Sequence, residues 1–245
     1  MPSPLETLRA TLSKPRLDRF RSLALPLLAG LAVVLLAGAF IQISSEMVEG
    51  DTRRFDMLLL QTAQSLRISR PWVAEIMRDF SGLGSTAVLT LFTIMSVGYL
   101  ALVGARPMAL LVATAVVTGS VAVTWLKAGF GRLRPAADFA ELIAPGPSFP
   151  SGHASTSAIV FLTLGALLAS TRRRGSERMY VLAMAVLMTV LVGLSRIALG
   201  VHWATDVLAG WAFGAAWATV WLLLARRLHR NQSTTETANG AERAP

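Results

Sequence analysis

The chain has 245 residues, of which 53% are hydrophobic and only 15% charged, with a formal net charge of +9 and no cysteine. A soluble domain holds about 25% charged residues, so this composition, with a mean hydropathy of +0.56, excludes one large water-soluble core and points to a polytopic membrane protein. The missing cysteine excludes disulfides, thiolate metal sites and a cysteine nucleophile.

A basic tail, 1–21, opens the chain with Arg9, Lys14, Arg16, Arg19 and Arg21. Six apolar stretches follow at 22–43, 83–103, 107–126, 154–170, 179–195 and 207–225. Each is near the length of about 20 residues that a helix needs to cross the hydrocarbon layer; the fourth and fifth are short and are expected to extend into their flanks. Apolar residues on every side predict lipid-embedded helices rather than barrel strands. The first run exceeds the core of a signal peptide, which predicts an uncleaved helix. Between the first two spans, segment 44–82 is amphipathic, with Phe55, Leu58, Leu59 and Leu60 before a polar stretch and Trp72, Val73 and Ile76 after Pro71. It reads as one or two helices at the outer interface. A tail at 227–245, polar and aperiodic from Asn231, is expected to be disordered.

The fold class is therefore all-α: one six-helix membrane bundle over 22–226, flanked by its two tails, with neither an internal repeat nor a second domain. Lys and Arg near the span ends set the orientation. Both tails, Arg106 and the connection bearing Arg172, Arg173, Arg174 and Arg178 fall on one side, which predicts cytoplasmic termini. This distribution reads as topology, and a nucleic-acid partner is not expected. Gly210 and Gly214 on the sixth span suit close helix contacts, with packing inside one chain favoured and the oligomeric state left open.

Three polar clusters fall on the opposite, outer side. Lys127 to Arg134-Pro135 ends the third span, Pro150-Ser151-Gly152-His153 precedes the fourth, and Ser195-Arg196, His202 and Asp206 bridge the last two. Singly they have ordinary readings: Lys127, Arg132 and Arg134 as snorkelling anchors, Pro150-Ser151-Gly152 as a turn and helix cap, His202 and Asp206 as a pair one turn apart. Together they suit phosphoryl transfer, whose transition state spreads negative charge over three oxygens. Lys127, Arg134 and Arg196 supply cations. Ser151 and Gly152 supply N–H donors at a helix N-terminus, a natural anion site. Asp206 orients His202 as a base or nucleophile, and His153 is free for general acid–base work. Asp138 and Glu141 are the only carboxylates in the 127–153 loop, too few for a two-metal mechanism.

In this order and spacing the clusters resemble the type-2 phosphatidic acid phosphatase superfamily, bacterial branch, which shares its site with vanadium haloperoxidases. Its pattern is a Lys, six residues and Arg-Pro; then Pro-Ser-Gly-His; then Ser-Arg, five residues, His, three residues and Asp. The chain matches it throughout, and Phe55-Asp56 and Leu83-Gly84-Ser85 resemble the branch's lead-in, so that the resemblance covers about residues 51–226. It implies a metal-independent enzyme, inhibited by vanadate and without a cofactor. His202 would be the nucleophile of a phosphohistidine intermediate, with Asp206 its partner and His153 the general acid. Lys127, Arg134, Ser151, Gly152 and Arg196 would bind phosphate oxygens. The choice of nucleophile comes from the resemblance, since spacing alone leaves the two histidines open.

The expected function is hydrolysis of a lipid phosphomonoester or pyrophosphate at the outer face of a bacterial inner membrane. Undecaprenyl pyrophosphate, phosphatidylglycerol phosphate, phosphatidic acid and a lipid A phosphate are the candidate substrates. A lipid-to-lipid phosphotransferase would use the same cradle. Haloperoxidase chemistry fits less well because those relatives are soluble. A transporter of anionic substrates is the alternative from another class, but transport sites lie near the membrane midplane and these clusters lie at one face.

Overall fold

The computed structural model describes residues 4–142 and 144–242, with side chains described at 24, 26–142 and 144–227. Among the described residues the chain is all-helical: α1 (Pro4–Glu49), α2 (Arg53–Ser69), α3 (Trp72–Leu83), α4 (Thr86–Leu102), α5 (Arg106–Phe130), α6 (Gly152–Ser170), α7 (Gly175–Ala198) and α8 (Ala204–Glu242), with one 3₁₀ turn at Ala137–Phe139. Five helices contain stretches long and apolar enough to span a membrane: Pro26–Glu49, α5, α6, α7 and Ala204–Arg227. A sixth span arises if α3 and α4, bent by 40° at their junction, are taken together.

Local chemistry sets the breaks. Pro71 disfavours helical geometry in Arg70 and separates α2 from α3. At the α3–α4 bend, Ser85 caps α4 by accepting from the Val88 N–H at 3.3 Å. Gly131, at φ +60°, ends α5 in the left-handed conformation that glycine adopts without steric cost.

Three boundaries differ from the sequence expectation. Residues 44–49 continue α1, because neither glycine nor proline occurs between Gly38 and Gly50. The remaining outer segment forms two helices, the second of which meets α4 at the bend instead of standing apart from the spans. Helix α8 runs on to Glu242, through most of the tail expected to lack structure; no proline interrupts 204–244. Of the two tails, residues 1–3 and 243–245 lie outside the described residues. As expected, the fourth and fifth spans do extend, to 152–170 and 175–198.

Helix α6 is the centre of the bundle, packed against α4, α5, α7 and α8, while α1 lies along α8. Its contact faces carry small residues, so the backbones approach closely. Ala154, Ala158, Ile159 and Val160 are fully buried there. A methyl group built on Gly165 of α6 would stand 2.5 Å from the Ala185 Cβ of α7. Leu27, Leu31 and Leu35 on α1, Leu91 and Met95 on α4, and Leu110, Val117 and Trp125 on α5 are exposed. An outward apolar surface around a core containing Ser155, Ser157, Thr163 and Thr189 is the arrangement that lipid as solvent favours.

Candidate active site

The ends of α5, α7 and the starts of α6 and α8 meet at one end of the bundle, and all three sequence clusters converge there. The left-handed turn at Gly131 sends the chain back over α6. The Ser148 N–H then bonds the Arg132 carbonyl at 2.8 Å, and the Ser151 N–H bonds the Asp206 carbonyl at 2.9 Å. Ser151 caps α6, its hydroxyl accepting from the Ala154 N–H at 3.5 Å. It is wholly buried, so it contributes the helix start. Lys127 lies directly over that start, its Cε 3.5 Å from where a Gly152 side chain would begin.

His202 sits in the turn between α7 and α8, only 2% exposed. Its Nδ1 faces Asp206 Oδ2 at 3.2 Å. The opposite nitrogen, Nε2, is 3.1 Å from Nη1 of Arg134. A guanidinium only donates and a carboxylate only accepts. The tautomer is thereby fixed: Nδ1 carries the proton and the Nε2 lone pair faces the cations. Burial pushes His202 down to about 4, against the opposing pull of Asp206, and the imidazole is neutral at pH 7. Burial also lowers Arg134 from the ordinary guanidinium value.

The three cations are held by dipoles. Lys127 donates to the carbonyls of Pro147 at 2.7 Å and Ser148 at 3.3 Å. Arg134 donates to Gly146 at 3.0 Å and Val201 at 2.8 Å. Arg196 donates to the Ser81 hydroxyl of α3, while its buried Nε–H has no partner among the described residues. No carboxylate is ion-paired with any of the three among the described residues. A buried, uncompensated guanidinium N–H is costly, and a phosphate oxygen is the type of acceptor that would satisfy it.

His153, on the first turn of α6, lies within electrostatic reach of Arg196, His202, Arg134 and Lys127. It faces a cavity of about 270 Å³ between α4, α5 and α6, which Lys127 and Gly152 also line, with Leu89, Val116, Val123 and Val160 deeper down. The structure therefore gathers all eight predicted residues, Lys127, Arg134, Ser151, Gly152, His153, Arg196, His202 and Asp206, at one end of the bundle.

Four further residues complete the site without standing out in the sequence. Arg132 bonds Asp206 Oδ1 at 2.6 Å and Asp56 Oδ2 of α2 at 2.7 Å, so it is no snorkelling anchor. Ser148 donates to Asp206 Oδ2, and Ser81 holds Arg196. Arg132 carried a weak signal, as a second arginine inside the first cluster. Asp56 stood in the lead-in with no partner visible in the sequence.

Comparisons with known proteins identify the family. The model of the PAP2 superfamily matches residues 106–230. Phosphatidylglycerophosphatase B of Bacillus subtilis (strain 168) is 34% identical over 155 residues, covering 60% of this chain and 72% of the relative. An undecaprenyl-diphosphatase of Sulfolobus acidocaldarius is 38% identical over 77 residues, 30% of this chain and 33% of that protein. Among solved structures, the transmembrane PAP2-type phosphatidylglycerolphosphate phosphatase of Bacillus subtilis superposes with a TM-score of 0.73 at 27% identity, covering 80% of this chain and 96% of that one. Aquifex aeolicus LpxE gives a TM-score of 0.53 at 25% identity, covering 69% and 94%. A family pattern matched over half the chain, and a shared bundle that brings the matched residues to one end, make this multi-pass membrane protein a member of the PAP2 superfamily of metal-independent lipid-phosphate phosphatases.

Proposed function

We propose that the protein removes the terminal phosphate of a glycerophospholipid phosphomonoester of the phosphatidylglycerol phosphate type, through a phosphohistidine at His202. The observation that carries this reading is the two-sided hold on His202, with Asp206 3.2 Å from Nδ1 and the lone pair of Nε2 directed at Arg134. The Bacillus subtilis relative, and the solved structure from the same species, carry names of that activity, which favours the glycerophospholipid. The Sulfolobus relative, similar over a third of its length, keeps undecaprenyl diphosphate as a second substrate.

Phosphate entering the cradle takes the Lys127, Arg134 and Arg196 donors and the free N–H groups at the start of α6, which releases the Nε2 lone pair from Arg134. Nε2 then attacks phosphorus as the ester P–O bond breaks, and His153, protonated once the negative charge of the bound phosphate offsets the cations around it, gives its proton to the departing alkoxide. Asp206 stabilises the charge that appears on the imidazole ring. In the second half His153, now neutral, takes a proton from water. The hydroxide displaces His202 from phosphorus, and inorganic phosphate and the free imidazole result. The cavity beside His153 suits the departing group, since its apolar walls run along the lipid-facing helices α4 and α5.

The site faces the cell exterior in this reading. Arg106, Arg172, Arg173, Arg174, Arg178, Arg226 and Arg227 all lie at the other end of the spans, and such clusters mark the cytoplasmic side. A chain without cysteine suits labelling of single-cysteine variants. In intact cells an impermeant maleimide is expected to label Ala137→Cys and to spare Arg173→Cys.

The deciding experiment is phosphate release by detergent-purified protein in the presence of EDTA. The substrates are phosphatidylglycerol phosphate, undecaprenyl pyrophosphate and phosphatidic acid, and the comparison is with His202→Ala. Release that survives EDTA, is lost in the variant and is fastest from phosphatidylglycerol phosphate supports the reading. Equal release by wild type and variant overturns the assignment of the nucleophile. A second lipid included as acceptor separates hydrolysis from phosphoryl transfer.

A further inference from the structure

We propose that Asp56 of α2 is a positioning residue for the reaction, holding the Arg132 fork and the first turn of α8 so that Asp206 presents one fixed oxygen to His202. The inference rests on His202 as nucleophile, and it concerns a residue outside the stretch 106–230 that matches the family pattern.

Asp56 is 1% exposed, and all the described partners of its carboxylate but one belong to the site. Oδ1 accepts from the Thr205 N–H at 2.9 Å. Oδ2 accepts from Arg132 Nη2 at 2.7 Å and from the Thr205 hydroxyl at 2.8 Å; the remaining donor is Thr52, at 3.3 Å. Thr205 is the second residue of α8, so a side chain from α2 caps the helix on which Asp206 is the next residue. The N–H groups of a first helical turn lack intrahelical partners, and an anion there is favourable.

The fork closes the arrangement from the other side. Nη1 of Arg132 donates to the Thr205 hydroxyl at 2.8 Å and to Asp206 Oδ1 at 2.6 Å. Asp206 Oδ2 is left for His202, Ser148 and the Trp203 N–H, the last at 2.9 Å. The Trp203 ring lies 5.4 Å from the guanidinium carbon. Each oxygen of Asp206 therefore has a separate duty, and rotation of the carboxylate would break bonds on both sides.

Charge points the same way. One guanidinium spans two buried carboxylates, and the trio keeps one net negative charge beside His202. The charged groups facing His202 are Asp206 from α8, Arg134 from the loop, Lys127 from α5 and His153 from α6. Arg196 of α7 acts on His153, and α2 reaches the ring only through Asp56 and Arg132. Neutralising Asp56 leaves the Arg132 charge undivided on Asp206, and the carboxylate then supports an imidazolium less well.

The test is Asp56→Asn, which keeps an acceptor for the Thr205 N–H but removes the charge. The chain holds three histidines, so ¹⁵N-histidine labelling gives three pairs of ring signals, assigned with His153→Asn and His229→Asn. In detergent, the His202 titration of Asp56→Asn is expected to move to lower pH by about one unit. The acid limb of kcat/KM for phosphatidylglycerol phosphate should move with it, while kcat drops by about 10- to 100-fold and KM changes by less than about threefold. Thr205→Val, which deletes only the hydroxyl between Asp56 and Arg132, is expected to move both readouts in the same direction by less. It carries the test if Asp56→Asn does not fold. A folded variant with a lower melting temperature but unchanged kcat and an unchanged His202 titration would make Asp56 a clamp for α2 and overturn the proposal. A shifted His202 titration in a protein inactive on this lipid would support the positioning role while refuting the substrate.

Discussion

Gly214 of α8 lies so close to Ser155 of α6 that a methyl group on its Cα would stand 2.5 Å from the Ser155 carbonyl oxygen and 2.6 Å from the Ala158 Cβ. Both obstacles belong to an interior packing face and cannot swing away. Gly214→Ala is expected to cost about 1–3 kcal/mol, seen as a lower melting temperature in detergent. Gly30→Ala, on an open face of α1, serves as the control. Equal melting temperatures would mean that α6 and α8 can separate without loss. Gly214 and its neighbour Gly210 serve contacts within one chain, as the sequence reading favoured.

Ser148 supplies a test of the carboxylate that orients His202. Its hydroxyl donates to Asp206 Oδ2, and Ser148→Ala deletes that donor without adding bulk. A hydrogen bond to a charged group contributes about 1.5–3 kcal/mol, so kcat is expected to drop by about tenfold or more with KM little changed. Retention of wild-type kcat would reduce Ser148 to a packing residue of the loop.

The pH dependence of stability follows from the buried ring of His202, with its pKa lowered from 6.5 to about 4. As pH falls through this window the unfolded chain binds a proton that the folded chain refuses. Protons then favour unfolding, and the contribution of the neutral ring is lost on acidification. The loss is roughly 3 kcal/mol between pH 6.5 and pH 4. Melting temperatures of wild type and His202→Gln, followed over that range without phosphate, should differ in slope. Parallel curves would show that the folded ring takes up its proton at the same pH as the unfolded chain, so that burial does not lower its pKa.

Arg196 bonds Ser81 of α3, and its buried Nε–H has no partner among the described residues; under the proposed function that group is kept for a phosphate oxygen. Lysine keeps the charge but lacks the fork. Arg196→Lys is expected to raise KM and lower kcat, with kcat/KM reduced about 10- to 100-fold, and Ser81→Ala to have a milder effect in the same direction. Wild-type kinetics in Arg196→Lys would remove Arg196 from the phosphate cradle.

The parts of this protein legible in its sequence are those whose signal is local. Span lengths can be counted, and the three clusters keep fixed spacings because each lies across one helix end or one short turn between consecutive helices. What escaped depends on contacts between distant segments. Arg132 reaches Asp56 across 76 positions, and Ser148 reaches Asp206 across 58. In a hydropathy reading each of these residues is merely polar. The α3–α4 junction was hidden for a related reason. Gly82 and Gly84 look like loop residues, yet at Gly84 the chain passes so near α7 that a methyl group there would stand 2.2 Å from the Val192 side chain.

The carbonyl groups of residues 145–148 hold Lys127 and Arg134 in place without neutralising them. An incoming phosphate therefore breaks no ion pair to enter. Under the proposed function the same donors would hold a phosphate still esterified to lipid and one just released. In that reading inorganic phosphate should thus act as a competitive inhibitor, and its accumulation should slow turnover by occupying the free enzyme. Binding by isothermal titration with inorganic phosphate, set beside its inhibition constant, measures how much of the cradle's attraction the enzyme must give back in each cycle.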